Sequence, residues 1–211
     1  MEPFAGSAAL SLALEFEAYL LNDTNSDLIA LFQTLKNEKQ AFIDYVRQYF
    51  GTEHNQESRF YVLREQFNNS ETPIERAALF VYLNRHAFNG LCRYNSKGQF
   101  NVPFGRYRAP YFPEKEMQAF IKKADRMEIC CGDFQYALAQ ADHHDTIYCD
   151  PPYVPLSITA SFTAYSKENF NLDEQNRLAI AAQQTAPQTQ GLLISNHDTA
   201  LTRELYRTAR L

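Results

Sequence analysis

A chain of 211 residues, 45% hydrophobic and 14% aromatic, carries enough apolar material for a buried core, which excludes a disordered or low-complexity protein. Its 20 Lys and Arg against 25 Asp and Glu leave a net charge of −5, which argues against a general nucleic-acid coat. No apolar run approaches the ~20 residues that span a bilayer, and no secretion signal opens the chain, so no membrane association is expected.

Met1-Glu2-Pro3-Phe4-Ala5-Gly6-Ser7-Ala8-Ala9-Leu10 comes first, a turn of small residues leading into a helix-forming stretch from Leu10 to Leu14. Such a corner lets backbone approach a cofactor closely, and a helix N-terminus favours negative charge. Ala18-Tyr19-Leu20-Leu21-Asn22-Asp23 reads as a strand ending in an acid. In nucleotide-binding α/β folds an acid in this place receives ribose hydroxyls; the alternative is that Asp23 only helps start the next helix. Asn25 or Ser26 caps that helix, with Leu28, Leu31, Phe32 and Leu35 on one face.

From about residue 36 to 123 the pattern becomes helical. Thr72-Pro73-Ile74-Glu75 has the form of a capping box with proline in the first helical position, and Ile74, Ala77, Ala78 and Val81 form the buried face. From Asn84 to Pro113 the chain has no Asp or Glu, while Arg85, Arg93, Lys97, Arg106 and Arg108 alternate with aromatic residues. That mixture suits a surface that grips a duplex and disturbs its stacking, although a solvated basic face has the same charge. Ser96-Lys97-Gly98 predicts a turn between two short strands, a β-hairpin on an inserted helical domain.

A strand is expected again near Met127 to Cys131, ending at Gly132-Asp133-Phe134 and followed by a helix through Ala141. Thr146-Ile147-Tyr148-Cys149 is the next strand, and it runs into Asp150-Pro151-Pro152-Tyr153. Neither proline can donate to a ladder, so the chain turns there. The turn presents a carboxylate, a carbonyl and an aromatic ring where open α/β sheets place their ligands. Taken alone, the same four residues could be a Pro-rich turn with a tyrosine lid. A further capping-box pattern begins at Asn171-Leu172-Asp173-Glu174, and a last strand covers Gly191 to Asn196 before His197-Asp198-Thr199. Acidic or polar residues recur at strand ends, at Asp23, Asp133, Asp150 and Asn196, and outline one cleft.

Cys92, Cys130, Cys131 and Cys149 contain no C-x-x-C pair, so reduced thiols in a cytoplasmic protein are expected, with no metal site.

The D-P-P-Y corner suits a planar base bearing an amino group. The lone pair of an exocyclic amine is delocalised into its ring, which makes it a poor nucleophile. If the Asp150 carboxylate and the Pro151 carbonyl accept its two N–H groups, the nitrogen moves toward a tetrahedral form with a localised lone pair. Positioning and electrostatics then supply the rate, without metal or covalent intermediate.

Taken together, the chain resembles the DNA adenine methyltransferase family, which uses S-adenosylmethionine. The segments that carry the resemblance are Glu2-Pro3-Phe4-Ala5-Gly6, Asn25-Ser26-Asp27-Leu28, Leu83-Asn84-Arg85, Phe88-Asn89-Gly90-Leu91-Cys92-Arg93-Tyr94-Asn95, Phe100-Asn101-Val102-Pro103-Phe104-Gly105-Arg106-Tyr107, D-P-P-Y and Ile194-Ser195-Asn196-His197-Asp198-Thr199. D-P-P-Y is common to many amino-methyltransferases, whereas the two middle segments are much narrower.

The resemblance implies an α/β fold: a Rossmann-like methyltransferase sheet, incomplete in this chain, with an inserted helical and β-hairpin target-recognition domain. It assigns residues 1–35 and 124–211 to the S-adenosylmethionine-binding catalytic domain and 36–123 to recognition. Phe4, Gly6, Asp23, Asp133, Phe134 and Asp150 would meet the cofactor, with Asp133 and Phe134 at its adenine. The target adenine would be flipped from double-stranded DNA onto Tyr153, with Asp150, Pro151, Pro152 and Tyr153 catalytic. Phe88 and Asn89 would fill the gap. Leu91, Arg93, Pro103 and Tyr107 would read a G-A-T-C target in the major groove, and Asn95 belongs to the same DNA-binding set. Lys97, Arg106 and Arg108 would hold phosphates.

A bacterial or phage-infected cytoplasm is the implied setting, with no obligatory protein partner, and a restriction-modification role is one of the contexts it allows. Three departures stand out. Ala8 replaces a usual second glycine and fits without strain only at negative φ. The family's Lys-Trp-Ala-Gly-Gly-Lys-like segment before the first strand is absent, and the chain stops before a closing hairpin. These lead to the expectation of a truncated sheet, with a non-catalytic DNA-binding fragment as the alternative to an enzyme.

Overall fold

A computed structural model describes residues 1–154 and 170–210. The chain divides into two compact units, one of Met1–Thr24 with Glu128–Leu211 and the other of Asn25–Met127.

The first unit is α/β. Its strands are β1 (Tyr19–Asp23), β2 (Met127–Cys131, all but its first residue in this unit), β3 (Thr146–Cys149) and β4 (Gly191–Ile194). β3 and β4 pair in parallel from Thr146↔Gly191 to Cys149↔Ile194, and β1 pairs with β2. Met1 and Glu2 run between the two ladders. The Glu2 amide donates to Leu20 O and Glu2 O accepts from Asn22, while the Met1 amino group donates to Thr146 O and Met1 O accepts from Tyr148. The order across the unit is therefore β2, β1, the Met1–Glu2 segment, β3, β4.

The helices of this unit are α1 (Ala9–Ala13), α7 (Phe134–Leu138), α8 (Leu172–Thr185) and α9 (Ala200–Leu205), the last with a reciprocal capping box between Thr199 and Thr202. Phe134, Leu138, Ile147, Cys149, Leu178 and Ala181 make its core, joined by Phe4, Phe170, Leu192 and Ile194. Burial pushes the Cys149 thiol up to about 12, so it stays protonated and packs as a small apolar group. All four cysteines are free thiols.

The second unit is helical, with α2 (Ser26–Glu38), α3 (Gln40–Arg47), α4 (Glu57–Asn69), α5 (Pro73–His86) and α6 (Glu114–Lys123). α5 is its central element: every residue from Ala77 to Leu83 is buried, beyond the single face that periodicity indicates. Phe60, Leu63, Phe67, Leu79, Tyr82 and Leu83 pack around it together with Phe100 and Val102 from the loop that follows.

Several local expectations differ from the structure. Thr72 makes no side-chain cap, and Glu75 accepts instead from Gln66 Nε2 at 2.7 Å and from the Ser70 hydroxyl. At Asn171 only half the box forms, because Glu174 turns to Arg177. The helix after Phe134 stops at Leu138, short of Ala141. The first compact unit's opening segment ends at Thr24; in the second, α2 packs on α5 and buried Asp27 holds the Arg76 guanidinium at 2.6 and 3.2 Å.

The hairpin is reduced to two isolated antiparallel bridges, Ala87↔Phe104 and Tyr94↔Phe100. Gly, Asn and Pro residues interrupt the ladder, and side chains complete it: Asn68 donates to Phe100 O and accepts from the Phe100 amide, and Arg64 donates to Val102 O.

Candidate functional site

In the first unit the strand ends carry the polar groups. The Gly6 amide donates to Asp23 Oδ2 at 3.0 Å, and the Gly132 amide donates to Asp23 O at 3.1 Å, so the ends of β1, β2 and the small-residue loop meet. Asn22, fully buried, ties the same two loops together by donating from Nδ2 to Pro3 O at 3.0 Å and to Gly132 O at 2.9 Å. Sequence reasoning gave Asn22 no role, since its position in a strand signals only one side chain of an alternating pair.

Gly6 has φ +47°, with open space where a Cβ would project. Ala8 also lies in the left-handed region, at φ 54°. The condition for an unstrained alanine is therefore not met, and the conformation costs roughly 1–2 kcal/mol. The Ala8 methyl is fully buried, which offsets much of that cost. With no side-chain cap at Ala8, the first turn of α1 turns to Glu2, whose buried carboxylate accepts the Ser11 amide at 2.9 Å.

Asp133 caps α7 by accepting the Gln135 amide at 2.9 Å, and its Oδ1 also receives Arg177 Nη2 at 3.1 Å. Arg177 extends over the Phe134 ring at 5.2 Å and also binds Glu174, whose hydrogen bonds hold the guanidinium above its ordinary pKa. Phe134 is only 3% exposed, stacked on Phe4 with centroids 5.3 Å apart and met edge-on by Phe170. Its ring is thus an apolar floor beneath Asp133 and not an open face. Nothing in the sequence marked Arg177, which comes from a helix 44 residues further along.

Asp150 follows β3 and is exposed, as is Tyr153 at 43%. Asp150 Oδ1 accepts from the Ser195 hydroxyl at 2.5 Å. Pro152 O accepts from Gln175 Nε2 at 2.8 Å, and the Val154 amide donates to Asn196 Oδ1 at 2.9 Å. His197 Nδ1 lies 2.7 Å from Val154 O, and its ring meets Tyr153 edge-on at 5.0 Å. The D-P-P-Y turn is therefore clamped along its length by α8 and by the segment after β4. Among the described residues, Asp150 Oδ2 and Pro151 O have no hydrogen-bond donor, so one carboxylate oxygen and one carbonyl remain as acceptors.

In the second unit Phe88, Asn89, Leu91, Arg93, Lys97, Pro103, Arg106, Tyr107 and Arg108 are all exposed. Phe88 and Leu91 are 49% and 46% exposed and lie three residues apart in the same loop. Asn89 and Gly90 take φ 53° and 62° and form a tight turn, held by Asn84 donating to Gly90 O and the Phe88 amide donating to Pro103 O. Gly105 leaves no room for a Cβ, which would meet Ala87 O at 2.8 Å and His86 O at 2.9 Å.

The Arg93 guanidinium is aimed by Asn101, which accepts from Nε at 2.8 Å. Arg106 has φ 55° and pairs loosely with Glu57 at 3.3 Å. Asn95 is committed to the turn: its Oδ1 accepts the Lys97 and Gln99 amides and its Nδ2 donates to Gln99 Oε1. That places it in the loop's framework, whatever it does at a ligand. Behind the loop, Tyr94 donates to Asp27 Oδ2 at 2.6 Å, and burial, then the Asp27 carboxylate, raise its pKa above the usual phenol range. Among the described residues no group of three or more His, Cys, Asp or Glu is placed to hold a metal ion. No helix of the described residues is long and apolar enough to cross a membrane.

Residues 1–211 match the family model of the D12 class N6 adenine-specific DNA methyltransferases. The DNA adenine methylase of Salmonella typhi is 48% identical over 211 residues, spanning all of this chain and 76% of that protein. That of Vibrio cholerae is 48% identical over 212 residues and that of Escherichia coli K12 47% over 211, each again covering 76% of the relative.

Proposed function

The chain belongs to the D12 class N6 adenine-specific DNA methyltransferases, and on that premise we propose that Asp150 and Pro151 accept the amino group of a flipped adenine within G-A-T-C. The observation that carries this reading is the D-P-P-Y turn itself. Among the described residues, its neighbours engage Asp150 Oδ1 and Pro152 O and leave two acceptors, Asp150 Oδ2 and Pro151 O, for the two N–H groups of one amine. Tyr153, exposed and steadied by His197, offers a face on which the base stacks.

S-adenosylmethionine is the proposed methyl donor, and the residues present fit it. The corner at Gly6 is open where a side chain would project, and the carboxylates Asp23 and Asp133 stand at adjoining strand ends. Asp23 would take the ribose hydroxyls. Asp133 would accept the adenine amine above the Phe4–Phe134 floor. When bound, the donor supplies a methyl group on a positively charged sulfur. Asp150 Oδ2 and Pro151 O would draw the target nitrogen toward a tetrahedral, nucleophilic form, and Tyr153 would hold the ring in place by stacking.

In the second unit Phe88 and Asn89 would brace the gap left by the flipped base. Leu91, Arg93, Pro103 and Tyr107 would read base edges, with the Asn101-aimed guanidinium of Arg93 suited to guanine O6 and N7. Lys97, Arg106 and Arg108 would meet phosphates, and Asn95 would act through the turn it builds. The setting we propose is the cytoplasm of a bacterial or phage-infected cell, where the duplex and the donor both reside.

Two substitutions test the division of labour. Asp150→Ala should abolish transfer and leave donor affinity within about threefold in an equilibrium titration. Asp133→Ala, which removes a charged acceptor, should weaken donor binding by at least tenfold. Equal loss of donor binding in Asp150→Ala would rule out Asp150 as the dedicated acceptor of the target amine.

A further inference from the structure

The segment after β4 holds a chain of hydroxyl groups behind the Asp150 carboxylate. Tyr148 lies in β3 and Asp150 one residue past its end, and both side chains meet the Ser195 hydroxyl. Ser195 sits across from them, one residue past the last register pair, Cys149↔Ile194, and its amide continues the ladder by donating to Cys149 O at 3.0 Å. Tyr148 donates to Ser195 Oγ at 3.2 Å, and Ser195 donates to Asp150 Oδ1 at 2.5 Å.

The proton order is imposed by the partners. A carboxylate can only accept, so the single Ser195 proton goes to Asp150; Cys149 O, at 3.5 Å, is the weaker alternative. The phenol proton of Tyr148 then fills a lone pair of Ser195 and holds the hydroxyl in that rotamer.

We propose that Ser195, oriented by Tyr148, is a positioning residue that fixes the rotation of the Asp150 carboxylate and so assigns Oδ2 to the target amine. The proposal rests on the reading of Asp150 as the acceptor of that amine. The last torsion of an aspartate is broad, so an unbraced carboxylate samples many directions, while the amine needs one. An acceptor misplaced by about 1 Å costs on the order of a hundredfold in rate, and ground-state binding through the rest of the site is untouched. Ser195 touches neither base nor donor and acts only through Asp150.

The test is single-turnover methyl transfer at saturating donor and duplex, with separate titrations of each. Ser195→Ala should lower the chemical rate about 10- to 100-fold while both dissociation constants stay within about twofold. Ser195→Thr, which keeps the hydroxyl, should recover most of the rate. A Ser195→Ala rate within twofold of the parent, with Asp150→Ala inactive, would overturn the proposal and leave the Asp150 reading standing. Substantial transfer by Asp150→Ala would remove both. If the alanine variant unfolds, Ser195→Cys decides by the same criterion, since it keeps the volume and weakens the donor. A fall in binding equal to the fall in rate, with no rescue by threonine, would mark a merely structural contact and overturn the proposal.

Discussion

The Tyr94 hydroxyl donates to the Asp27 carboxylate across 2.6 Å and fastens the loop bearing Leu91 and Arg93 to the first turn of α2. Arg76 holds the same carboxylate from α5, so the acid is buried with a full set of partners. Tyr94→Phe removes one charge-assisted bond and leaves the Arg76 pair. It should cost about 1–2 kcal/mol in denaturant unfolding and weaken duplex binding severalfold. An unchanged unfolding midpoint with unchanged duplex affinity would show the contact to be inert.

Arg93 and Lys97 lie in one exposed loop but should fail in different ways. Arg93→Ala should relax discrimination at a guanine of the target by about 1–3 kcal/mol. Lys97→Ala should weaken all duplexes alike and flatten the salt dependence of binding by about one counterion. Titrations against base-substituted duplexes at several salt concentrations separate the two, and the reverse pattern would exchange their roles.

Ala8 sets two effects against each other. Replacement by glycine relieves left-handed strain of roughly 1–2 kcal/mol, and loses about 0.8 kcal/mol of buried methyl and 0.4–1 kcal/mol of unfolded-chain restriction. Ala8→Gly should therefore change stability by less than about 0.5 kcal/mol. Ala77→Gly, inside α5 and equally packed, should cost about 2 kcal/mol. Similar losses at both sites, measured by denaturant unfolding, would show that the conformation at Ala8 carries no strain.

His86 supplies a pH dependence. Burial between Tyr82, stacked at 4.0 Å, and Phe50 lowers its pKa from 6.5 to about 4, so the folded ring is neutral at pH 7. As pH falls from 6.5 toward 4, the unfolded chain takes up a proton that the folded chain refuses, and stability falls with it. His86 should contribute a loss on the order of 2 kcal/mol across that window. His86→Gln should flatten the slope there, and an imidazole resonance titrating near the ordinary histidine value would contradict the account.

Much of this was legible because it is local. Strand ends followed by Asp or Pro, the Asn25 cap and the Ser96–Gly98 turn all follow from backbone chemistry within a few residues. The hairpin was over-read: the Ser96–Gly98 turn suggested a short strand on either side, but Gly, Asn and Pro leave two bridges, and Asn68 and Arg64 supply the missing partners from α4. The Thr72 box failed because its Glu75 found Gln66 and Ser70, a choice made by tertiary proximity. The same holds at the site. Asp150 was visible from its motif, whereas Ser195 reaches Asp150, Gln175 reaches Pro152 and Arg177 reaches Asp133 only through pairing of β3 with β4 and packing of α8. Spacing in a sequence carries no record of such contacts.

The most direct measurement is labelled-methyl transfer from S-adenosylmethionine to two matched duplexes. One carries a single G-A-T-C site, and in the other both target adenines are already methylated at the amino group. The account predicts incorporation into the first alone, at adenine N6, and none when Asp150 is alanine. Equal incorporation into both duplexes, or transfer that survives Asp150→Ala, would contradict it.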